Sequence, residues 1–318
     1  MKKTTKVITL LLSLLILATA ASCNGNNSQS TEETGRSIVP GRHINYDRAG
    51  NTIELPESIS KIVSIGPSNT EVLVELGFAD MIFATDEYSS NVPGLKPDIS
   101  GFDMMANDGE QLILMAPEVI FVTGMSQAAG DDPYRVLADA GICLIYIPSS
   151  TSLTAIMEDI LYIAEVLSVK EKGLEIVAEM EAEIAKIMEI ADLITEKKKV
   201  YFEIGAAPQM YSFGQGTFLN EMIELVGAVN IFSDIVGWTG VSDETILDTN
   251  PDVILTTVNY IDNPLDEIRS RHGWGEVTAI KNDAVYYIST DASNRPSHNV
   301  VIAMQQIAQA VYPEYYLG

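Results

Sequence analysis

The side chains able to do covalent or metal chemistry are few and scattered. His43, His272 and His298 are the three histidines, and none has a second His, a Cys or a paired acid at ligand spacing. Transition-metal sites need several such donors converging, so no resident metal is expected. There is no Gly-x-Ser-x-Gly elbow and no evident Cys–His pair for nucleophilic catalysis. The Gly-rich run 205–216 lacks phosphate-loop spacing, and no Lys-Ser or Lys-Thr follows it, which argues against a nucleotide site. Of two cysteines, Cys143 lies in an apolar run and reads as a small core residue, so neither a disulfide framework nor a cysteine metal site is expected. A carboxylate-pair hydrolase stays open as an alternative. The main expectation is a protein that is not an enzyme and carries no cofactor.

Residues suited to grasping a small molecule are more numerous. Tyr88, Phe102, Met104, Tyr211, Phe213, Trp238, Asn259, Tyr260 and Arg295 all fall in or beside segments read as strand-end loops. Large apolar walls with a few polar fixers are what a ligand cleft requires. Ser68 and Asn69, in the turn after the first strand, and His298, beside Arg295, complete the candidate contacts.

Those loops need a scaffold that brings them to one edge. Strands are expected at 61–65, 81–85, 119–123 and 142–147, and again at 199–204, 253–257 and 284–289, with helices between them. Alternating strands and helices predict parallel sheets whose carboxyl-end loops line a ligand edge. Ser68 and Glu71 have capping-box spacing for one helix, and Ser168 and Glu171 for another. Between the halves, a helix over 152–167 precedes a second from Val169 to Ile194. In that second helix Leu174, Val177, Met180, Ile184, Ile187, Met188, Ala191 and Ile194 recur every three or four positions. At 1.5 Å per residue it would be roughly 40 Å long, a stiff spine between two lobes.

The chain also repeats a phrase. Glu110-Gln-Leu-Ile-Leu-Met-Ala-Pro117-Glu-Val-Ile120 is echoed by Glu244-Thr-Ile-Leu-Asp-Thr-Asn-Pro251-Asp-Val-Ile254. Each reads as a short helix stopped by proline and followed by a buried strand. A looser echo precedes each copy, Glu71-Val-Leu-Val-Glu-Leu-Gly77 and Glu221-Met-Ile-Glu-Leu-Val-Gly227. Two echoes in the same order point to two halves of related architecture.

Residues 1–22 read as an export signal: Lys2, Lys3 and Lys6 precede the apolar run Val7–Leu17, too short to span a bilayer. Ala20-Ala21-Ser22-Cys23 resembles a lipobox with Cys23 as the lipidated residue; Ala20 stands where Leu is usual, which leaves ordinary cleavage without lipidation as the alternative, and polar 24–36 reads as part of a tether. The expected organisation is a signal at 1–22, a flexible tether at 23–40, a first lobe at 41–167, a linking helix at 168–197 and a second lobe at 198–318. Without the signal, 16 basic residues face 44 acidic ones, a balance of −28. Such a surface repels nucleic acid.

The run Lys61-Ile-Val-Ser-Ile-Gly-Pro-Ser-Asn-Thr-Glu71 resembles the start of the substrate-binding proteins of ABC importers for ferric siderophores, haem and cobalamin. So do Glu110…Pro117-Glu-Val-Ile, Gly237-Trp238…Val-Ser-Asp-Glu244, Asn250-Pro-Asp-Val-Ile254, His272-Gly-Trp-Gly-Glu-Val-Thr-Ala-Ile280 and Arg295-Pro296. The resemblance covers about residues 43 to 315. It implies an α/β fold of two similar lobes, each with a mainly parallel sheet, joined by one rigid helix with the ligand between them. It further implies an exported, monomeric lipoprotein that hands a metal chelate to a permease and its ATPase. Glu110 and Glu244 match the family's permease-docking acids; Tyr88, Trp238, Arg295 and Phe102 match its ligand contacts. Where many members carry a second Arg after Arg-Pro, this chain reads Ser297-His298-Asn299. With Arg295 the one cation assigned to the cleft, a near-neutral corrinoid or hydroxamate siderophore is favoured over an anionic catecholate complex. Haem would need an axial ligand, with His298, Tyr88 and Tyr260 as candidates. A capturing lipoprotein without a permease is the other alternative.

Overall fold

A computed structural model describes residues 36–316 apart from 42, 98, 104–108 and 125–133. The signal, Cys23 and Met104 therefore lie outside the described residues. The first lobe comprises β1 (Ile62–Ser64), α1 (Pro67–Glu75), β2 (Ile82–Asp86), β3 (Ser100–Phe102), α2 (Gly109–Met115), β4 (Val119–Thr123), α3 (Arg135–Asp139), β5 (Cys143–Ile147) and α4 (Leu153–Val166). After the linking helix α5 (Lys170–Ala191), the second lobe begins with β6 (Lys199–Glu203), β7 (Tyr211–Phe213), α6 (Phe218–Leu225), β8 (Val229–Asn230), β9 (Trp238–Gly240) and α7 (Asp243–Thr249). It continues with β10 (Val253–Thr256), α8 (Pro264–Arg269), α9 (Thr278–Lys281), β11 (Val285–Tyr287), α10 (Thr290–Asn294), α11 (Val300–Val311) and α12 (Pro313–Tyr316).

Both lobes are built on parallel sheets, in the orders β3-β2-β1-β4-β5 and β11-β10-β6-β8. β1 and β10 are buried at every residue, as strands covered on both faces must be. β7 and β9 form a separate antiparallel ribbon that the Gly-rich sequence had hidden as loop. β3 was likewise expected to be loop; its Ser-Gly-Phe sequence carries no alternating apolar signal, and only pairing with β2 extends it.

The repeated phrase has a structural cause. α2 and α7 are each followed by a residue forced to positive φ, Ala116 (49°) and Asn250 (47°), before the proline turns the chain into β4 or β10. The next acid then reaches sideways to the first strand of its own lobe. Glu118 accepts from the backbone N–H groups of Ser60 and Lys61, and Asp252 from the N–H of Lys199 at 2.8 Å. Each acid thus fastens the start of one central strand to the start of its neighbour. The looser echo ends α1 and α6 alike, with the amides of Phe78 and Ala228 reaching back to the carbonyls of Leu73 and Ile223 past Gly77 and Gly227.

Two capping expectations are corrected. α1 starts at Pro67 after Gly66, whose φ of 99° no capping serine would tolerate, so Ser68 is not a cap. α5 starts at Lys170, and Ser168 instead takes a left-handed turn and donates to the carbonyl of Val39. That contact also shortens the expected tether. Arg36–Pro40 are docked, with Ile38 bridged to Ile59 and Arg36 donating to the Gly77 carbonyl and Asp80.

α5 has 22 residues, about 33 Å at 1.5 Å per residue. Its inward stripe is Gly173, Ile176, Val177, Met180, Ile184 and Ile187, while Leu174 and Met188, expected inside, are exposed. The stripe rotated because Gly173 is the contact point with α4: a Cβ there would lie 2.5 Å from the Cβ of Ala164. α4, α5, α6 and α11 contribute to one apolar cluster that runs from lobe to lobe through Ile160, Met180, Met222 and Met304. A continuous close-packed core makes the junction stiff. Among the described residues, no helix is long and apolar enough to cross a membrane.

Candidate functional site

The carboxyl ends of the two sheets meet. Asn91, in the loop after β2, donates to Asp291 of α10 at 3.2 Å and accepts from Arg295 at 3.0 Å. Arg295 also pairs with Glu71 of α1 at 2.9 Å and with Asp291 at 2.7 Å. Strand-end segments of both lobes therefore border one region, as parallel sheets with carboxyl-end loops require.

On the first lobe's side, Tyr88 is presented by a buried carboxylate. Asp86, at the end of β2, accepts from the N–H of Gly66 at 2.8 Å, the N–H of Tyr88 at 2.9 Å and the hydroxyl of Ser89 at 2.6 Å. One acid thus holds the β1–α1 turn and the short 3-10 turn at Glu87–Ser89 together, leaving the Tyr88 side chain 55% exposed. The neighbouring Glu87 charge pushes the Tyr88 phenol above its usual range.

On the second lobe's side, Tyr211 and Trp238 stand on one face of the β7–β9 ribbon, where Phe213 pairs with Trp238 and Tyr211 with Gly240. The buried Phe213 ring meets the Trp238 indole edge-on at 6.0 Å, which fixes the indole while leaving it 49% exposed. The Tyr260 hydroxyl accepts from the N–H of Ala206 at 2.8 Å, and its ring remains 66% exposed. Four anchored, exposed aromatic rings (Tyr88, Tyr211, Trp238 and Tyr260) are thus displayed on strand-end segments.

Other predicted contact residues are engaged within the protein. Asn69 is buried, and its amide donates to the Ile65 carbonyl at 3.0 Å inside α1's entry turn. Ser68 is half-buried in the same turn. Phe102 is buried in the apolar cluster of Val63, Ile65 and Leu112, because β3 pairs with β2 and turns the ring inward. Arg295 is committed to Glu71, Asn91 and Asp291, and its side chain is only 13% exposed. His298 is packed beside Glu75 of α1, Nε2 to Oε2 3.7 Å. Burial holds its imidazole below the usual value, and the charges of Glu75 and Glu71 offset this in part.

Reading the sequence missed Glu71 as a functional group. It belongs to the looser echo, but only the fold shows that it is buried against the opposite lobe, with Ser297 and Asn299 also donating to it. Cys143 is half-buried on the edge strand β5, where burial pushes its thiol up to about 12. Glu110 and Glu244 occupy matching positions in the first turns of α2 and α7, and both are exposed.

Two parallel-sheet lobes meeting at their strand ends across one spine helix make up a two-lobed α/β binding-protein fold. The chain belongs to the periplasmic binding protein family, which matches residues 62–292. It is 28% identical over 304 residues to an uncharacterized ABC transporter substrate-binding lipoprotein of Bacillus subtilis, YvrC, covering 95% of this chain and 96% of that one. A vitamin B12-binding protein of Vibrio cholerae is 25% identical over 268 residues, covering 79% of this chain and 89% of its own. Among solved structures, the molybdate-bound periplasmic binding protein MolA of Haemophilus influenzae superposes with a TM-score of 0.72 at 20% identity, over 86% of this chain and 92% of that chain.

Proposed function

We propose that this chain is the extracytoplasmic substrate-binding component of an ABC importer, tethered by a lipid on Cys23, and that it captures a bulky, near-neutral metal chelate. A corrinoid or a hydroxamate siderophore is the favoured cargo. Glu110 and Glu244, one on each lobe at the start of equivalent helices, dock to the permease.

The observation that carries the cargo class is the commitment of Arg295. It is already balanced by Glu71 and Asp291, so an anionic catecholate complex or an oxyanion would meet no free guanidinium there. Burying such a charge without a partner is costly. Exposed aromatic rings, by contrast, offer apolar contact that a neutral macrocycle or hydroxamate complex can use. Haem finds less support: His298 is wedged against α1 beside Glu75.

Tryptophan emission provides the test. Trp274 is buried in the second lobe and Trp238 is half-exposed, so a ligand held between the lobes is expected to quench chiefly Trp238. Parallel titrations with cobalamin, a ferric hydroxamate, a ferric catecholate and molybdate are expected to give saturable quenching by one of the first two. Trp238→Phe should remove most of the quenching, and equilibrium dialysis of Trp238→Ala should show binding weakened by about 0.5–1.5 kcal/mol, the worth of an aromatic contact. Saturable binding of the catecholate complex or of molybdate would overturn the cargo class.

A further inference from the structure

We propose that Glu71 and Glu221 form a reciprocal clasp that fixes the spacing of the two lobes before any ligand arrives. Each lobe extends a glutamate from its first helix to the amino end of the other lobe's last long helix. Glu71 of α1 receives Arg295 at 2.9 Å, Asn299 Nδ2 at 3.0 Å and the hydroxyl of Ser297, the residues that lead into α11. Glu221 of α6 receives the N–H of Leu153, the first residue of α4, at 2.7 Å.

The two contacts differ in kind: Glu71 gathers side chains that lead into α11, whereas Glu221 takes a backbone N–H at the start of α4. The first N–H groups of a helix have no partner within it, and a carboxylate there is favoured by hydrogen bonding and by the helix dipole. In α4, Ser152 satisfies the N–H of Ala155, and Glu221 satisfies that of Leu153. α11 has no side-chain cap of its own; Asn299 and Ser297, at its entry, are instead ordered by Glu71. The glutamates open the looser of the two sequence echoes, so the duplicated halves place the same acid at equivalent positions and aim it at each other's helices. The Glu71 side is the stronger, because it is buried and adds a guanidinium. Its bearing on capture rests on the function proposed above: with the clasp closed, the cleft is held at one width and the ligand enters a preformed space.

The test reads lobe spacing without ligand. In the full chain, with Cys23 and Cys143 replaced by serine, spin labels are attached at Ala138→Cys in the first lobe and Asp248→Cys in the second, both exposed. Pulsed electron resonance should give one narrow distance distribution. Glu71→Ala with Glu221→Ala should abolish that narrow peak and give a broad one, while a pair within the second lobe, Asp248→Cys and Asp262→Cys, stays sharp. An unchanged distribution between the lobes would overturn the clasp. Should both label pairs broaden because the alanine chain unfolds, Glu71→Gln with Glu221→Gln, which keep size and lose charge, decides in the same way. Chelate titration separates the two readings: tight binding with an unbroadened distance sinks only the clasp, and broadening without binding of any chelate sinks only the cargo.

Discussion

Replacing Arg295 with alanine distinguishes a cation that meets ligand from a cation that holds the protein together. In the structure its guanidinium lies 2.9 Å from Glu71, whose side chain is 4% exposed. Removing one member of a buried pair leaves an uncompensated charge and costs about 3–5 kcal/mol. Ser297 and Asn299 would still donate to Glu71, which places the expected loss at the lower end, about 3 kcal/mol. With an unfolding entropy of about 2.1 cal/mol/K per residue, that lowers the melting temperature of a chain this long by roughly 5 °C. Glu71→Leu combined with Arg295→Met should recover most of the loss, because neither charge is then buried alone. Thermal melts of the four-member mutant cycle supply the stability term, and titration with the chelate that binds the parent supplies the affinity term. An Arg295→Ala protein that melts like the parent but binds its ligand tenfold more weakly would refute the assignment and return Arg295 to the cleft.

Glu110→Ala with Glu244→Ala should abolish uptake in cells carrying the matching permease while leaving the fluorescence titration unchanged; a loss of ligand affinity would move these residues into the ligand site. A further outcome concerns pH. His298 has a depressed folded-state value, caused chiefly by burial, so below its ordinary value of 6.5 the unfolded chain binds the proton more readily. Its contribution to stability is therefore intact above that value and is lost as pH falls through the lower folded value. His298→Gln should flatten this part of the stability profile in urea melts taken at successive pH values; an identical slope in parent and variant would show that other groups carry it.

The sequence alone was enough for the plan of two parallel-sheet lobes and a linking helix, though not for β3 or the β7–β9 ribbon. Buried strands announce themselves as short apolar runs, and the paired echoes Glu110–Ile120 and Glu244–Ile254 exposed the duplication, because each half needs the same turn, proline and strand-fastening acid. Tyr88, Trp238 and Tyr260, read from the sequence as strand-end ligand contacts, are exposed in the structure. Partnership between distant residues was not legible. Arg295 looked like a free cation, and Glu71 like one more acid on a helix, since 224 positions separate them. Asn69 and Phe102 fell within plausible loops, yet backbone bonding drew one into a turn and sheet pairing turned the other into the core. Local pattern fixes which elements form, because helix and strand periods are written residue by residue. Which charges neutralise one another depends on how the two lobes are brought together, and that is decided only when the long-range packing of α4, α5, α6 and α11 closes the structure.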